Sequence, residues 1–155
     1  MSHASPAPQP ARHHTAELFC RTGIAASAQN AAQTRVEFAE WLARNLPLDE
    51  TRLGDLLLAT YEALANAAEY AYLKSPVRGT MDMLAQYDPG PDRFVVTVAD
   101  HGCWREPVAE SDHIATRFRG RGIPLMRALA DEATVSSGAD GTHVRLSWNQ
   151  VTAGR

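Results

Sequence analysis

Glu62 and Asn66 place a carboxylate and a carboxamide four residues apart in the run Glu62-Ala-Leu-Ala-Asn66-Ala-Ala-Glu-Tyr-Ala-Tyr72. Within a helix, residues at i and i+4 lie one above the other on the same face, so both side chains point toward whatever that face meets. A carboxylate can orient or deprotonate a nucleophile, and an amide oxygen can ligate Mg²⁺. Ala63, Ala65 and Ala67 keep the neighbouring side chains short, which lets a ligand approach closely. The same pair would also suit an ordinary solvated helix face, where acidic and amide side chains usually stand. The rest of the chain decides between these readings.

The elements that must position this pair can be read along the sequence. Met1 to about Arg12 is rich in Pro, Ala and Ser and reads as a disordered tail, assigned to residues 1–14. His13 and His14 lie in that tail with no Cys or carboxylate beside them, a poor basis for a metal site. Thr15 to Gly23 reads as a strand, with Leu18 and Cys20 on one face and Phe19 on the other. Ser27 caps a helix expected over Ala28 to about Asn45, with Val36, Phe38, Ala39 and Leu42 as its apolar positions. Pro47 breaks it. Asp49 opens a second helix, expected to run to Leu73 before Ser75-Pro76, with Leu53, Leu57, Leu64 and Ala71 on the core side.

Strands over Thr80 to Tyr87 and Arg93 to Asp100 flank the turn Asp88-Pro-Gly-Pro91, which predicts an antiparallel hairpin. Val95, Thr97 and Ala99 alternate with Phe94, Val96 and Val98, so the second strand is expected to be covered on both faces. His101 to Arg119 has no sustained period, and a stretch of that length within a domain is often a functional lid. Gly120-Arg-Gly122 precedes a helix over Ile123 to Ala130, with Pro124 in its first turn. Strands Ala133 to Ser137 and Thr142 to Trp148 complete a domain assigned to residues 15–149, with a C-terminal tail at 150–155. The fold class is α+β: a two-layer α/β sandwich, its sheet mixed but mostly antiparallel, with helices on one face.

Composition narrows the function. The length suits one domain of ordinary size. A net charge of −3 gives no overall basic balance for direct nucleic-acid binding. Lys74 is the sole lysine, so positive charge is carried by Arg, which fits phosphate or carboxylate recognition and equally a coding bias. Cys20 and Cys103 show no framework spacing, and no apolar run is long enough to span a bilayer; a reducing cytoplasmic location is the simpler expectation.

Four elements occur in one order: the helix with Glu62 and Asn66, the strand ending Val98-Ala-Asp100-His-Gly102, the Gly120-Arg-Gly122 segment at a helix start, and Gly141-Thr142 opening the last strand. This order resembles the N, G1, G2 and G3 boxes of the GHKL ATPase/kinase superfamily, which shares the Bergerat nucleotide-binding fold of histidine-kinase-like ATPase domains. Glu62-Ala-Leu-Ala-Asn66-Ala resembles the E-A-x-x-N-A box of bacterial anti-sigma-factor serine/threonine kinases. Asp100-His-Gly-Cys-Trp104-Arg105-Glu-Pro107 looks like their D-x-G-x-W-R-x-P variant. The likeness covers Leu18 to Leu146. Two positions depart from it: Trp104 stands where the fuller pattern has a second Gly, and Tyr70 stands where relatives often carry His.

The resemblance implies a binding site for ATP and Mg²⁺. Asp100 would accept a hydrogen bond from the exocyclic adenine amine, and an ionised acceptor strengthens such a bond. Gly102 would admit backbone close to the flat ring. Gly120 and Gly122 would hinge the segment whose helix offers free N–H groups to phosphates. Thr142 would reach adenine directly or through water. Glu62 would serve as general base or hydroxyl positioner, and Asn66 as the Mg²⁺ ligand. Arg117, Arg119 and Arg121 suit phosphates or an acidic partner alike, and Trp104 suits nucleotide cover or plain packing.

The function implied is transfer of phosphate from ATP to a small anti-sigma-factor antagonist, with a sigma factor bound elsewhere on the surface; such relatives often form homodimers. The alternatives are a non-catalytic ATP-binding regulatory module, a scaffold with degenerate boxes, or a sensor kinase's catalytic domain. The chain carries no phosphoacceptor-His helix and no helical hairpin for dimerisation, and the Trp104-Arg105 variant favours the anti-sigma type.

Overall fold

The computed structural model describes residues 17–72, 79–101, 123–138 and 141–153. Their order is β1 (Glu17–Ala25), α1 (Ala28–Asn45), α2 (Glu50–Tyr72), β2 (Thr80–Asp88), β3 (Arg93–Asp100), a short helix α3 (123–129), β4 (Glu132–Gly138) and β5 (Gly141–Trp148). The strands form one five-stranded sheet in the order β1-β2-β3-β5-β4. Each neighbouring pair is antiparallel. The fold is α+β as expected, with the helices over one face.

Local chemistry sets the helix starts. The Ser27 side chain accepts from the Asn30 amide at 3.1 Å, and the Asp49 carboxylate accepts from the Arg52 amide at 2.6 Å; each satisfies a donor that a helix N-terminus leaves without an internal partner. α1 then buries Ala31, Thr34, Phe38 and Leu42, one stripe at helical spacing. Val36, expected among its apolar contacts, stands 49% exposed. On α2 the fully buried stripe runs through Leu56, Ala59, Thr60, Ala63, Leu64 and Ala67. Leu53 and Leu57, expected on the core side, flank it half-buried and pack against the core.

β3 is the central strand and carries the architecture from core to site. Phe94, Val96, Val98 and Asp100 share its helix-covered face by the period of two. Its other face is half-covered at Val95 and Thr97 and buried at Ala99. Phe94 joins Phe38, Trp41 and Trp148 in an aromatic cluster with ring centroids 6.2–6.5 Å apart. Asp100 lies six residues further on, about 20 Å away at roughly 3.4 Å per residue. One strand is thus anchored in the core at its start and delivers a carboxylate at its end.

β1 runs through Gly23, which the sequence reading took as its end. Its register against β2 shifts between Arg21 and Ile24, and Gly23 adopts φ +64 there, a conformation natural to glycine. At the other terminus packing continues past Trp148. Val151 is buried, and Asp92 accepts from the Thr152 hydroxyl at 2.8 Å and from the Tyr87 hydroxyl at 2.8 Å. The expected C-terminal tail therefore contributes to the core at Val151.

Candidate functional site

The sheet supplies one wall of a cleft through its register. Val98 pairs with Val144 and Ala99 with His143, so the end of β3 faces the beginning of β5. There the Thr142 amide donates to Oδ1 of Asp100 at 3.1 Å. Both residues are buried, Asp100 to 2% exposure. Gly141 makes the approach possible. Its φ is +114, and a Cβ on it would lie 2.0 Å from the Asp100 carbonyl oxygen and 3.0 Å from Oδ1. No side chain fits there, so the two backbones touch and the carboxylate is held between them.

α2 supplies the opposite wall. Ala63, Asn66 and Ala67 line the cleft from the helix, and Val98, Asp100, Val135, Thr142 and Val144 line it from the sheet. Ile123 and Met126 of α3 line it too. The cleft holds about 430 Å³ including its open mouth. Apolar walls with a few convergent polar groups are what a flat heteroaromatic ligand requires. The short alanines on α2 leave the gap between helix and sheet, and the buried carboxylate offers an acceptor at its floor.

Three sequence-predicted residues therefore meet: Asn66, Asp100 and Thr142. Glu62 is half-buried on α2, one turn before Asn66, and is not among the residues lining the cleft. Gly102, Gly120 and Gly122 lie outside the described residues, as do Trp104, Arg105, Arg117, Arg119 and Arg121. Sequence reasoning missed Gly141 as a positioning residue and missed the apolar lining from Val98, Val135, Val144, Ile123 and Met126. The valines were accessible through strand alternation, since Val98 is two residues before Asp100. The close contact of Gly141 has no local signal.

The residues present fit a nucleotide with its cation. Among the described residues no group of three or more His, Cys, Asp or Glu could hold a metal by itself. Mg²⁺ needs no such cage, since it commonly takes one or two protein oxygens and completes its shell with phosphates and water. The Asn66 amide at the cleft suits that mode.

Comparison with known proteins agrees with this geometry. A family model described as the histidine kinase-like ATPase domain matches residues 24–148, and the chain belongs to that family. Among solved structures it is similar to the RsbU and RsbW domains of Rv1364c from Mycobacterium tuberculosis, with 25% identity and a TM-score of 0.65. That match covers 85% of this chain and 32% of the other, so this chain spans about a third of the length of its structural relative. It is also similar to the histidine kinase domain of a blue-light activated histidine kinase from Erythrobacter litoralis EL346, with 17% identity, a TM-score of 0.48, and coverage of 80% and 64%. No helix among the described residues is long and apolar enough to cross a membrane.

Proposed function

We propose that the protein binds Mg²⁺-ATP in the cleft between α2 and the β3–β5 end of the sheet, and acts as a protein serine/threonine kinase of the anti-sigma-factor type. The observation that carries the reading is the meeting of Asn66, Asp100 and Thr142 at one cleft from three separated parts of the chain. The similarity to a structure containing an RsbW domain supports the anti-sigma type. Asp100 recognises the adenine amine, with Thr142 beside it. Asn66 holds the cation, which when bound neutralises phosphate charge. Gly102 is assigned to the adenine ring, and Gly120 and Gly122 to the phosphates, on the resemblance alone.

Glu62 then orients or deprotonates a serine or threonine hydroxyl on a small anti-sigma-factor antagonist. The hydroxyl oxygen bonds to the γ-phosphorus, its proton passes to the carboxylate, and ADP leaves. Phosphoryl transfer depends mainly on positioning and charge neutralisation, so few residues suffice. A sigma factor is the second partner, bound away from the nucleotide in the cytoplasm.

One observation favours a second reading. Glu62 lies off the cleft lining, which suits a regulatory module that binds ATP without transferring phosphate. Labelled ATP, Mg²⁺ and candidate antagonists separate the two. For a kinase, Glu62→Ala cuts transfer by roughly 10²–10⁴-fold, the usual worth of a general base, and leaves ATP affinity nearly unchanged. Transfer at an undiminished rate in Glu62→Ala removes the catalytic role, and no transfer by the wild type to any antagonist supports the pure binder.

A further inference from the structure

The helix-covered face of β3 ends on Asp100, but the next residue points the other way and is held by a separate set of contacts. Nε2 of His101 lies 2.5 Å from Oδ2 of Asp82 on β2. A carboxylate only accepts, so the ring N–H is the donor. The other oxygen of Asp82 accepts from the Gly23 amide at 2.7 Å, and Gly23 can present that amide because it sits at φ +64 in the irregular part of β1. The His101 amide donates to the Thr80 carbonyl at 3.2 Å. One carboxylate thus ties β1 and β2 to the residue that follows β3, on the face of the sheet away from the helices.

We propose that Asp82 is a positioning residue for adenine recognition, acting through His101 on Asp100. The proposal rests on the nucleotide reading of the cleft. Asp100 and His101 share one peptide plane. Fixing the ring of His101 on the outer face limits rotation of that plane, and with it the direction in which the Asp100 side chain enters the cleft. The inner side has its own restraint in the Thr142 amide and the bare backbone of Gly141. Asp100 is therefore gripped from both faces of the sheet, and Asp82 is the outer grip.

The arrangement around Asp82 favours its ionised form. Burial works against the charge, but the hydrogen bonds from His101 and Gly23 and the positive charge of a protonated His101 outweigh it, so the carboxyl titrates below its ordinary value. Among the described residues the charged or titratable neighbours on the flanking strands are few. Arg21 on β1 is turned to Glu37 of α1 at 3.1 Å. His143 on β5 lies across Ala99 from Asp82, since both pair with that residue.

The test uses the full chain in two arms. In the first, without nucleotide, amide exchange is followed for Thr142, Val144 and Leu146. Asp82→Ala is expected to lower protection of the Thr142 amide about tenfold while the other two keep theirs, as a local opening and not a global one. Unchanged Thr142 protection, or loss spread evenly along β5, overturns the proposal. In the second arm, ADP and GDP are titrated with Mg²⁺. Asp82→Ala is expected to weaken ADP about tenfold and to shrink its preference over GDP, since adenine is what Asp100 discriminates. His101→Gln keeps a donor at that position and should retain most of the affinity. Wild-type affinity and preference in Asp82→Ala overturn the positioning role. A wild type that takes neither nucleotide overturns the functional reading instead, and the exchange arm still decides whether Asp82 positions Asp100.

Discussion

The two walls of the cleft hold their polar groups by different means. On the sheet side Asp100 is buried, its carboxylate bonded to the Thr142 amide and its backbone pressed against Gly141. Neither residue could move without disturbing strand register. On the helix side Asn66 lines the cleft as a half-buried side chain among alanines, with Glu62 half-buried one turn earlier and off the lining. Their placement depends on helical spacing and on how closely α2 lies over the sheet. A rigid acceptor for a ligand's invariant ring and looser groups for its reacting end make sense together. Recognition gains from a fixed partner, while phosphate chemistry must adjust as bonds form and break.

The comparison breaks most visibly at Gly141. Gly141→Ala forces a Cβ into the Asp100 carbonyl at a φ that alanine rarely adopts. The expected loss is on the order of 2–3 kcal/mol of stability by urea denaturation, together with nucleotide binding. A helix-side change such as Ala65→Ser, off the cleft lining, should stay within about 0.5 kcal/mol in the same measurement. Equal losses at both positions would remove the distinction between the walls.

A smaller effect is expected from Asn66→Ala. Because Asn66 serves the cation and not the ring, the variant should bind ADP without metal as well as the wild type does. The gain in affinity on adding Mg²⁺ should fall to near nothing, read by calorimetry with and without chelator. Loss of metal-free binding would mean that Asn66 touches the base or the fold instead.

These two walls also differ in how far the sequence disclosed them. The spacing of Glu62 and Asn66 is a helical fact and is readable without coordinates. So are the bounds of β3 at Arg93 and Asp100, because alternation stops where the turn residues begin, and the cap at Ser27. The sheet side was readable only by residue type. Asp100 and Thr142 were singled out through resemblance, but their contact depends on the β3–β5 register, a pairing of segments some forty residues apart that no local pattern encodes. Gly141 was noticed as part of a motif and not as the residue whose missing Cβ admits Asp100. The buried stripe of α2 was legible only in part. Leu53 and Leu57 pack on the core side as expected but only half-buried, while Ala59, Ala63 and Ala67 are buried along the same stripe. The glycines at 102, 120 and 122 lie outside the described residues and stand as part of the proposal.

The smallest expected effect lies at the far end of the sheet, where Val151 and Thr152 are clasped to Asp92 in the β2–β3 turn. Burial, and then the hydrogen bond to Asp92, push the Tyr87 hydroxyl above its ordinary value. A group with a raised folded-state pKa contributes stability that is complete below its unfolded value, near 10, and is lost as pH rises through the folded value. Alkaline titration above pH 10 should therefore lower stability in the wild type and much less in Tyr87→Phe, followed by melting temperature. The cleft is about 20 Å away by strand length, so nucleotide affinity at neutral pH should be the same in both. A change in affinity would show that the two ends of the sheet are coupled.

The central claim is that the cleft takes an adenine nucleotide through Asp100. Calorimetric titration of ADP and ATP into the wild type and Asp100→Asn tests it most directly. The amide of Asn keeps the size of the side chain and one acceptor, but it is neutral and can present N–H where the adenine amine requires oxygen. The account predicts micromolar binding of both nucleotides by the wild type, and an equal loss for ADP and ATP of at least about tenfold in the variant, because the base is common to both. Binding by neither nucleotide at high micromolar wild-type protein, or equal affinity in wild type and Asp100→Asn, would contradict it.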